Sequence, residues 1–201
     1  MTRVAVIDHG AGNLVSIAQG LRAAGAAVDI ITDPAGLTDT AAAVLPGVGA
    51  SRAAMDRLTA AGFVGPLRDY DRPLLGICVG LQLFFDSSEE DDSAGLGLVP
   101  GRVRRLANAP RLPHIGWNDV VRKDDPLFAG IPDATPFYFV HSYAPVPADA
   151  DTVIGRSEYG APLVAAVRSG RHCGVQFHPE RSGPAGLRLL ANFVAEARNA
   201  A

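Results

Sequence analysis

The chain has 201 residues, 48% of them hydrophobic and 19% charged, with a formal net charge of −3; this is enough apolar content for one well-packed core and points to a single domain over residues 1–201. The slightly acidic balance excludes an obligate nucleic-acid binder, whose footprint would be a basic face, and no apolar run approaches the roughly 18 residues that suggest a membrane span. Two cysteines, Cys78 and Cys173, make no disulfide framework, and Asp8 ends the first apolar run too soon for a signal peptide, so a cytoplasmic protein is expected.

Taken in order, the first half alternates short apolar runs with helical patterns. Arg3 to Asp8 reads as a strand, Leu14 to Ala24 as an amphipathic helix, Ala27 to Ile31 and Ala42 to Leu45 as strands, Ala50 to Ala61 as a helix and Pro73 to Ile77 as another strand. This is βαβ patterning, hence a parallel sheet with helices on both faces. His9-Gly10-Ala11-Gly12-Asn13 opens like a dinucleotide fingerprint, but Val15 fills the place of the third glycine, which leaves a loop at the carboxyl edge of the sheet.

Gly76-Ile77-Cys78-Val79-Gly80-Leu81-Gln82 follows the Pro73 strand, and Leu81 to Phe85 reads as the first turns of a helix. Cys78 then sits on a tight strand-to-helix turn, with glycines two residues to each side where Cβ atoms would clash. A thiol at the first turn of a helix faces unpaired N–H groups and the helix dipole, which favour a thiolate; the alternative is a buried cysteine acting as a small apolar residue. Leu45-Pro46-Gly47-Val48-Gly49, after the preceding strand, can turn backbone N–H groups towards a reacting carbonyl, with the Val79 N–H as second donor. The same residues also suit a plain tight turn.

The second half reads as strands at Gly101 to Leu106, Trp117 to Arg122, Thr135 to Tyr143, Thr152 to Tyr159, Leu163 to Arg168 and His172 to Phe177, with a hairpin turn at Ser169-Gly170 and a closing helix from Pro184. The expected architecture is α/β, a mixed and mostly parallel central sheet flanked by helices, with additional antiparallel strands in this half. The run from Glu89 to Asp92 reads as a solvated loop. Arg102, Arg104, Arg105 and Arg111 suit a solvated strand face or a protein contact surface, and Trp117 suits core or interface. His178 and Glu180 in Gln176-Phe177-His178-Pro179-Glu180 are two residues apart on an extended segment and project to one side, so the carboxylate can orient the imidazole as a base for Cys78. Without Cys78, His178-Pro179 would be a surface turn. His114, His141, His172, Cys173 and His178 match no standard metal-ligand spacing, and Cys173 reads as packing.

The elbow, the Pro-Gly-Val-Gly loop and Phe-His-Pro-Glu together resemble the class I, triad-type glutamine amidotransferases, whose fold is flavodoxin-like. More narrowly, Ile7 to Leu14, Leu45 to Gly49, Gly76 to Gln82, Pro113 to Asn118, Phe139 to Tyr143 and Gly174 to Glu180 resemble the glutaminase subunits of imidazole glycerol phosphate synthases, of histidine biosynthesis. The resemblance implies hydrolysis of glutamine through a γ-glutamyl thioester on Cys78, with Cys78, His178 and Glu180 as triad. It implies an oxyanion region of Gly47, Val48, Gly49 and Val79, and contacts to the ends of glutamine from Gln82 and the backbone at Ser142 and Tyr143. No metal or other cofactor is implied. The implied partner is a (β/α)8-barrel cyclase subunit, forming a heterodimer, that uses the ammonia to make imidazole glycerol phosphate and an aminoimidazole carboxamide ribotide. His9, Ser51, Val79, Leu81 and Arg181 depart from the family's usual tyrosine, phenylalanine, leucine, methionine and lysine.

Overall fold

The computed structural model describes residues 1–200. Its first half winds as β1 (Arg3–Ile7), α1 (Leu14–Ala23), β2 (Ala27–Ile31), β3 (Ala42–Gly47), α2 (Ser51–Ala60), α3 (Val64–Arg68), β4 (Leu74–Cys78) and the one-turn α4 (Val79–Gln82). Val4 to Ile7, Ala42 to Leu45 and Leu74 to Ile77 are buried throughout, as strands covered on both faces must be. On α1 the buried residues Ile17, Ala18 and Leu21 form the stripe that the helical period predicts.

The second half contributes a hairpin of β5 (Ser87–Ser88) and β6 (Ser93–Ala94), then β7 (Gly101–Arg105), β8 (His114–Arg122), β9 (Thr135–His141), β10 (Tyr143–Pro147), β11 (Val153–Glu158), β12 (Pro162–Ser169), β13 (His172–Val175) and α5 (Gly183–Ala200). A nine-stranded sheet runs β2-β1-β3-β4-β13-β12-β11-β8-β9, and a four-stranded one runs β10-β7-β5-β6. The strands from β2 to β13 are mutually parallel and the remaining four antiparallel. Helix α5 buries Leu189, Leu190, Phe193, Val194 and Ala197, again at helical spacing.

Three expectations need correction. β3 continues past Leu45 through Pro46 to Gly47, because β1 pairs with it only as far as Val44 and Pro46 therefore faces no ladder acceptor on that side. The helix after the elbow stops at Gln82 instead of continuing to Phe85. The carbonyls of Leu83, Phe84 and Phe85 accept from the N–H groups of Leu96, Leu98 with Val99, and Gly97, so a remote segment takes the acceptors that further turns would have used. Thr135 to Tyr143 is two strands, broken at Ser142, where the chain leaves the nine-stranded sheet for the smaller one. Helix α3 and the β5–β6 hairpin carry no clear pattern in the sequence.

β3, β4 and β13 are neighbours in register, Gly47 opposite Cys78 and Val175 opposite Ile77. Their carboxyl ends therefore bring together the Pro46 to Gly49 loop, the elbow and the Gln176 to Glu180 segment, at the edge where open α/β sheets hold ligands.

Candidate active site at the carboxyl edge of the sheet

Cys78 lies at φ 55° and ψ −111°, a conformation that costs a non-glycine residue about 1–3 kcal/mol and persists only where packing enforces it. The enforcement is visible on both sides. A Cβ on Gly76 would come within 2.8 Å of Leu81 Cα, and one on Gly80 would overlap the carbonyl oxygen of Leu45. β4, α4 and β3 can cross this closely only through glycine. With α4 a single turn long, few peptide dipoles align on the thiol, so charge stabilisation there falls mainly to the imidazole beside it.

That imidazole is His178. Its backbone is held by a bond from its N–H to Tyr138 O (2.9 Å) and by its carbonyl accepting from Arg181 N–H (3.0 Å) and Ser182 Oγ (2.6 Å). His178 Nδ1 donates to Glu180 Oε1 at 2.9 Å, which leaves Nε2 as the free ring nitrogen; His178 and Cys78 line the same cavity, and the Cys78 thiol rests against Val140 O at 3.8 Å. The Glu180 side chain is 1% exposed, and its Oε2 has no partner among the described residues. Burial works against the His178 cation, but hydrogen bonds to Cys78 and Glu180 and the charges of both outweigh it and raise the pKa to about 10. The arrangement therefore favours the imidazolium form of His178, which can move a proton at Nε2.

A cavity of about 170 Å³ opens over the thiol, lined by Val48, Gly49, Cys78, Val79, Gln82, Glu90, Val140, His141, Ser142, Tyr143, His178 and Arg181. Of the residues expected in the oxyanion region, Gly47 is displaced from the lining: it packs against Val79 and Gly80 behind the elbow, because β3 runs further than the sequence pattern implied. His9 Nε2, itself buried, donates to Pro46 O at 2.8 Å and tethers the loop. A larger depression of about 980 Å³ lies at the opposite, amino edge of the sheet around Arg3, Arg72, Arg171 and Arg198, with no cysteine or histidine in its lining.

Two contributors escaped the sequence reading. Gln176, wholly buried, directs Nε2 to Cys78 Sγ at 3.7 Å, and its Oε1 accepts from Gln82 Nε2 at 3.1 Å; Gln82 Nε2 also donates to Tyr143 O at 3.0 Å. A glutamine inside an otherwise apolar strand end was the available signal. Glu90 belongs not to a solvated loop but to the turn of the β5–β6 hairpin, where its Oε2 accepts from Ser51 N–H (3.0 Å) and Ser51 Oγ (3.2 Å) at the start of α2. It brings a carboxylate to the cavity wall.

His114 and His141 meet in the wall behind the site, Nδ1 to Nε2 at 3.0 Å. Burial pushes His141 down to about 4 despite its bond to Tyr143 O, and the neighbouring His114 and His178 act in the same direction as burial, so it stays neutral beside a cationic His178. His172 instead bonds Tyr70 O at 2.8 Å, and burial pushes the Cys173 thiol up to about 12; neither joins the cavity. Trp117 is 57% exposed, on one face of β8 with Ile115 and Val121. Arg181 lies over the Tyr138 ring at 4.4 Å, and Arg104 pairs with Glu89 on the outer surface of β7.

The family model for class-I glutamine amidotransferases matches residues 5–197. "Imidazole glycerol phosphate synthase subunit HisH" of Synechococcus sp. (strain JA-3-3Ab) is 49% identical over 200 residues, covering 96% of this chain and 93% of that one. The protein of the same name from Xanthomonas axonopodis pv. citri (strain 306) is 48% identical over 197 residues, covering 96% and 98%. Among solved structures, a glutamine amidotransferase aligns with a TM-score of 0.73 at 22% identity, covering 97% of this chain and 98% of that one. PurLQS from Thermotoga maritima aligns with a TM-score of 0.73 at 18% identity, covering 96% and 98%. These two likenesses establish the fold.

Proposed function

Because the chain belongs to the class-I glutamine amidotransferases and, within them, to the HisH subunits of imidazole glycerol phosphate synthase, we propose that it hydrolyses glutamine as one domain, with Cys78 as nucleophile, His178 as acid and base, and Glu180 as the group that orients and charges the imidazole. The observation that carries this reading is that Cys78 and His178 face one cavity of about 170 Å³ while His178 Nδ1 is bonded to the buried Glu180. The thiolate attacks the side-chain amide carbon of glutamine. The N–H of Val79 and those of the Val48–Gly49 loop receive the oxyanion, and His178 passes its proton to the departing nitrogen, releasing ammonia and leaving a γ-glutamyl thioester. Water then attacks the thioester, His178 takes its proton, and glutamate leaves with the thiolate restored. Glu90, the acidic group of the cavity wall, suits the α-ammonium of glutamine, and the Ser142–Tyr143 backbone with Gln82 suits its carboxylate.

The ammonia goes to a (β/α)8-barrel cyclase subunit in a cytoplasmic heterodimer, which makes imidazole glycerol phosphate and an aminoimidazole carboxamide ribotide. An apolar face supports docking beside the site: Ile115, Trp117 and Val121 stand exposed on β8, and Val140, opposite Ile115 on β9, lines the cavity. Ammonia freed into neutral water is mostly protonated, so useful turnover requires the oxyanion donors to be completed only in the assembled complex. The Pro46 to Gly49 loop is the switch. The test is glutamate release by the chain alone, by the complex, and by the complex with the cyclase's nucleotide ligand. Strong activation across that series is expected, and full activity of the isolated chain overturns the gating.

A further inference from the structure

The His114–His141 pair forms part of a hydrogen-bond chain with a single polarity. His141 Nδ1 donates to Tyr143 O at 2.8 Å, so Nε2 of the neutral ring carries its lone pair. Nε2 accepts from His114 Nδ1 at 3.0 Å, so His114 Nε2 must accept in turn. It faces Asn118 Nδ2 at 3.4 Å, and that amide nitrogen also donates to Glu158 O at 2.8 Å. Every group has one consistent role, all directed at the Tyr143 carbonyl. The ring of His114 is clamped between Tyr159 (centroids 4.0 Å apart, 18° between planes) and Phe139 (5.0 Å, 20°), which leaves it little freedom to turn. Cross-strand register places the two histidines directly opposite each other on β8 and β9.

The target of the chain is the point where β9 ends and β10 begins. Ser142 O is held by Leu106 N–H at 3.0 Å, while Tyr143 O takes both His141 Nδ1 and Gln82 Nε2. A backbone changing sheets here has no ladder partner on the cavity side to fix its orientation, and the histidines supply one.

We propose that His114 and His141 are positioning residues for glutamine binding: they lock the Ser142–Tyr143 backbone in the orientation that receives the amino-acid end of the substrate, and take no part in the chemistry at Cys78. The inference rests on the glutaminase reading and adds to it a second set of residues whose effect falls on KM. Loss of one buried donor from such a chain weakens binding by about tenfold.

The test is steady-state kinetics in the reconstituted complex with the cyclase subunit, for the unsubstituted protein, His114→Phe, His141→Phe and His141→Asn. Each phenylalanine is expected to raise KM for glutamine about tenfold with kcat changed far less. His141→Asn, whose amide N–H can occupy the place of Nδ1, is expected to recover most of the affinity despite its smaller side chain. Alkylation of Cys78 by iodoacetamide, which needs the thiolate but not the amino-acid subsite, is expected to keep its rate in all three variants. Unchanged KM in both phenylalanine variants, equal effects of asparagine and phenylalanine at 141, or a fall in alkylation that accounts for the lost activity overturns the positioning role. An unsubstituted complex that alkylates normally yet leaves glutamine intact overturns the glutaminase reading, and the inference with it.

Discussion

Glu180→Gln preserves shape and removes one charge from a side chain that is 1% exposed. The carboxylate accepts from His178 Nδ1 at 2.9 Å, and a bond to a charged acceptor is worth about 1.5–3 kcal/mol against roughly 1 for a neutral one. The imidazolium state of His178 should therefore lose about 0.5–2 kcal/mol, or roughly two- to thirtyfold in rate. His178→Ala removes the proton transfer itself, worth roughly 10²–10⁴-fold. Glu180→Gln also removes one of the causes that hold His178 at about 10, so its titration should move down towards the ordinary histidine value. The assay is glutamate release at saturating glutamine in the assembled complex, with the His178 ring followed by NMR through the same pH range. A Glu180→Gln variant slower than His178→Ala, or a His178 titration that does not fall, would refute the assigned roles.

Acid should weaken the fold through His141. Its folded pKa of about 4 lies below the unfolded value of 6.5, so the stabilisation is complete above pH 6.5 and is lost as pH falls towards 4, amounting to roughly 3 kcal/mol. His178, raised to about 10, contributes with the opposite sign: its share is fully present below 6.5 and lost between 6.5 and 10, so it does not mask the acid limb. Urea denaturation between pH 7 and 4 measures this, and stability that stays flat in both the unsubstituted protein and His141→Asn contradicts it. Gly80→Ala should destabilise by about 1–3 kcal/mol, because its Cβ would overlap the Leu45 carbonyl oxygen, and should slow Cys78 alkylation; normal stability with normal alkylation would mean the crossing is looser than described. Trp117→Ala should leave the melting temperature of the isolated chain nearly unchanged, since the residue is 57% exposed, yet weaken binding of the cyclase subunit by roughly thirtyfold or more, as for an aromatic anchor. Unchanged affinity would move the docking face elsewhere.

The central parallel strands β1, β3 and β4 were legible because they are buried on both faces and read as apolar runs; β2, half-exposed at the sheet edge, still has the bounds of the predicted Ala27 to Ile31, and α1 ends one residue short of the predicted Ala24. The juxtaposition of His178 with Glu180 was legible for a local reason, two residues on one extended segment. What escaped depends on contacts distant in sequence. The chain beyond α4 does not carry on as helix where residues 96–99 take the carbonyls of Leu83 to Phe85, and the strand break at Ser142 exists because a second sheet captures Tyr143 to Pro147. Glu90 lies in a run of four acids, and nothing local distinguishes the one folded onto Ser51 from its solvated neighbours. His114 and His141 stand 27 residues apart, and their meeting depends on a strand register that no local pattern encodes.

The central claim is that glutamine is opened on the Cys78 thiol and that its ammonia is handed to the cyclase subunit. Cys78→Ala in the reconstituted complex tests both halves, because the cavity keeps its walls while the nucleophile is gone. Glutamine-dependent formation of imidazole glycerol phosphate is predicted to vanish, with glutamate release, while formation of the same product from added ammonia continues at the unsubstituted rate. Glutamate release by Cys78→Ala at a rate near that of the unsubstituted complex would contradict the account.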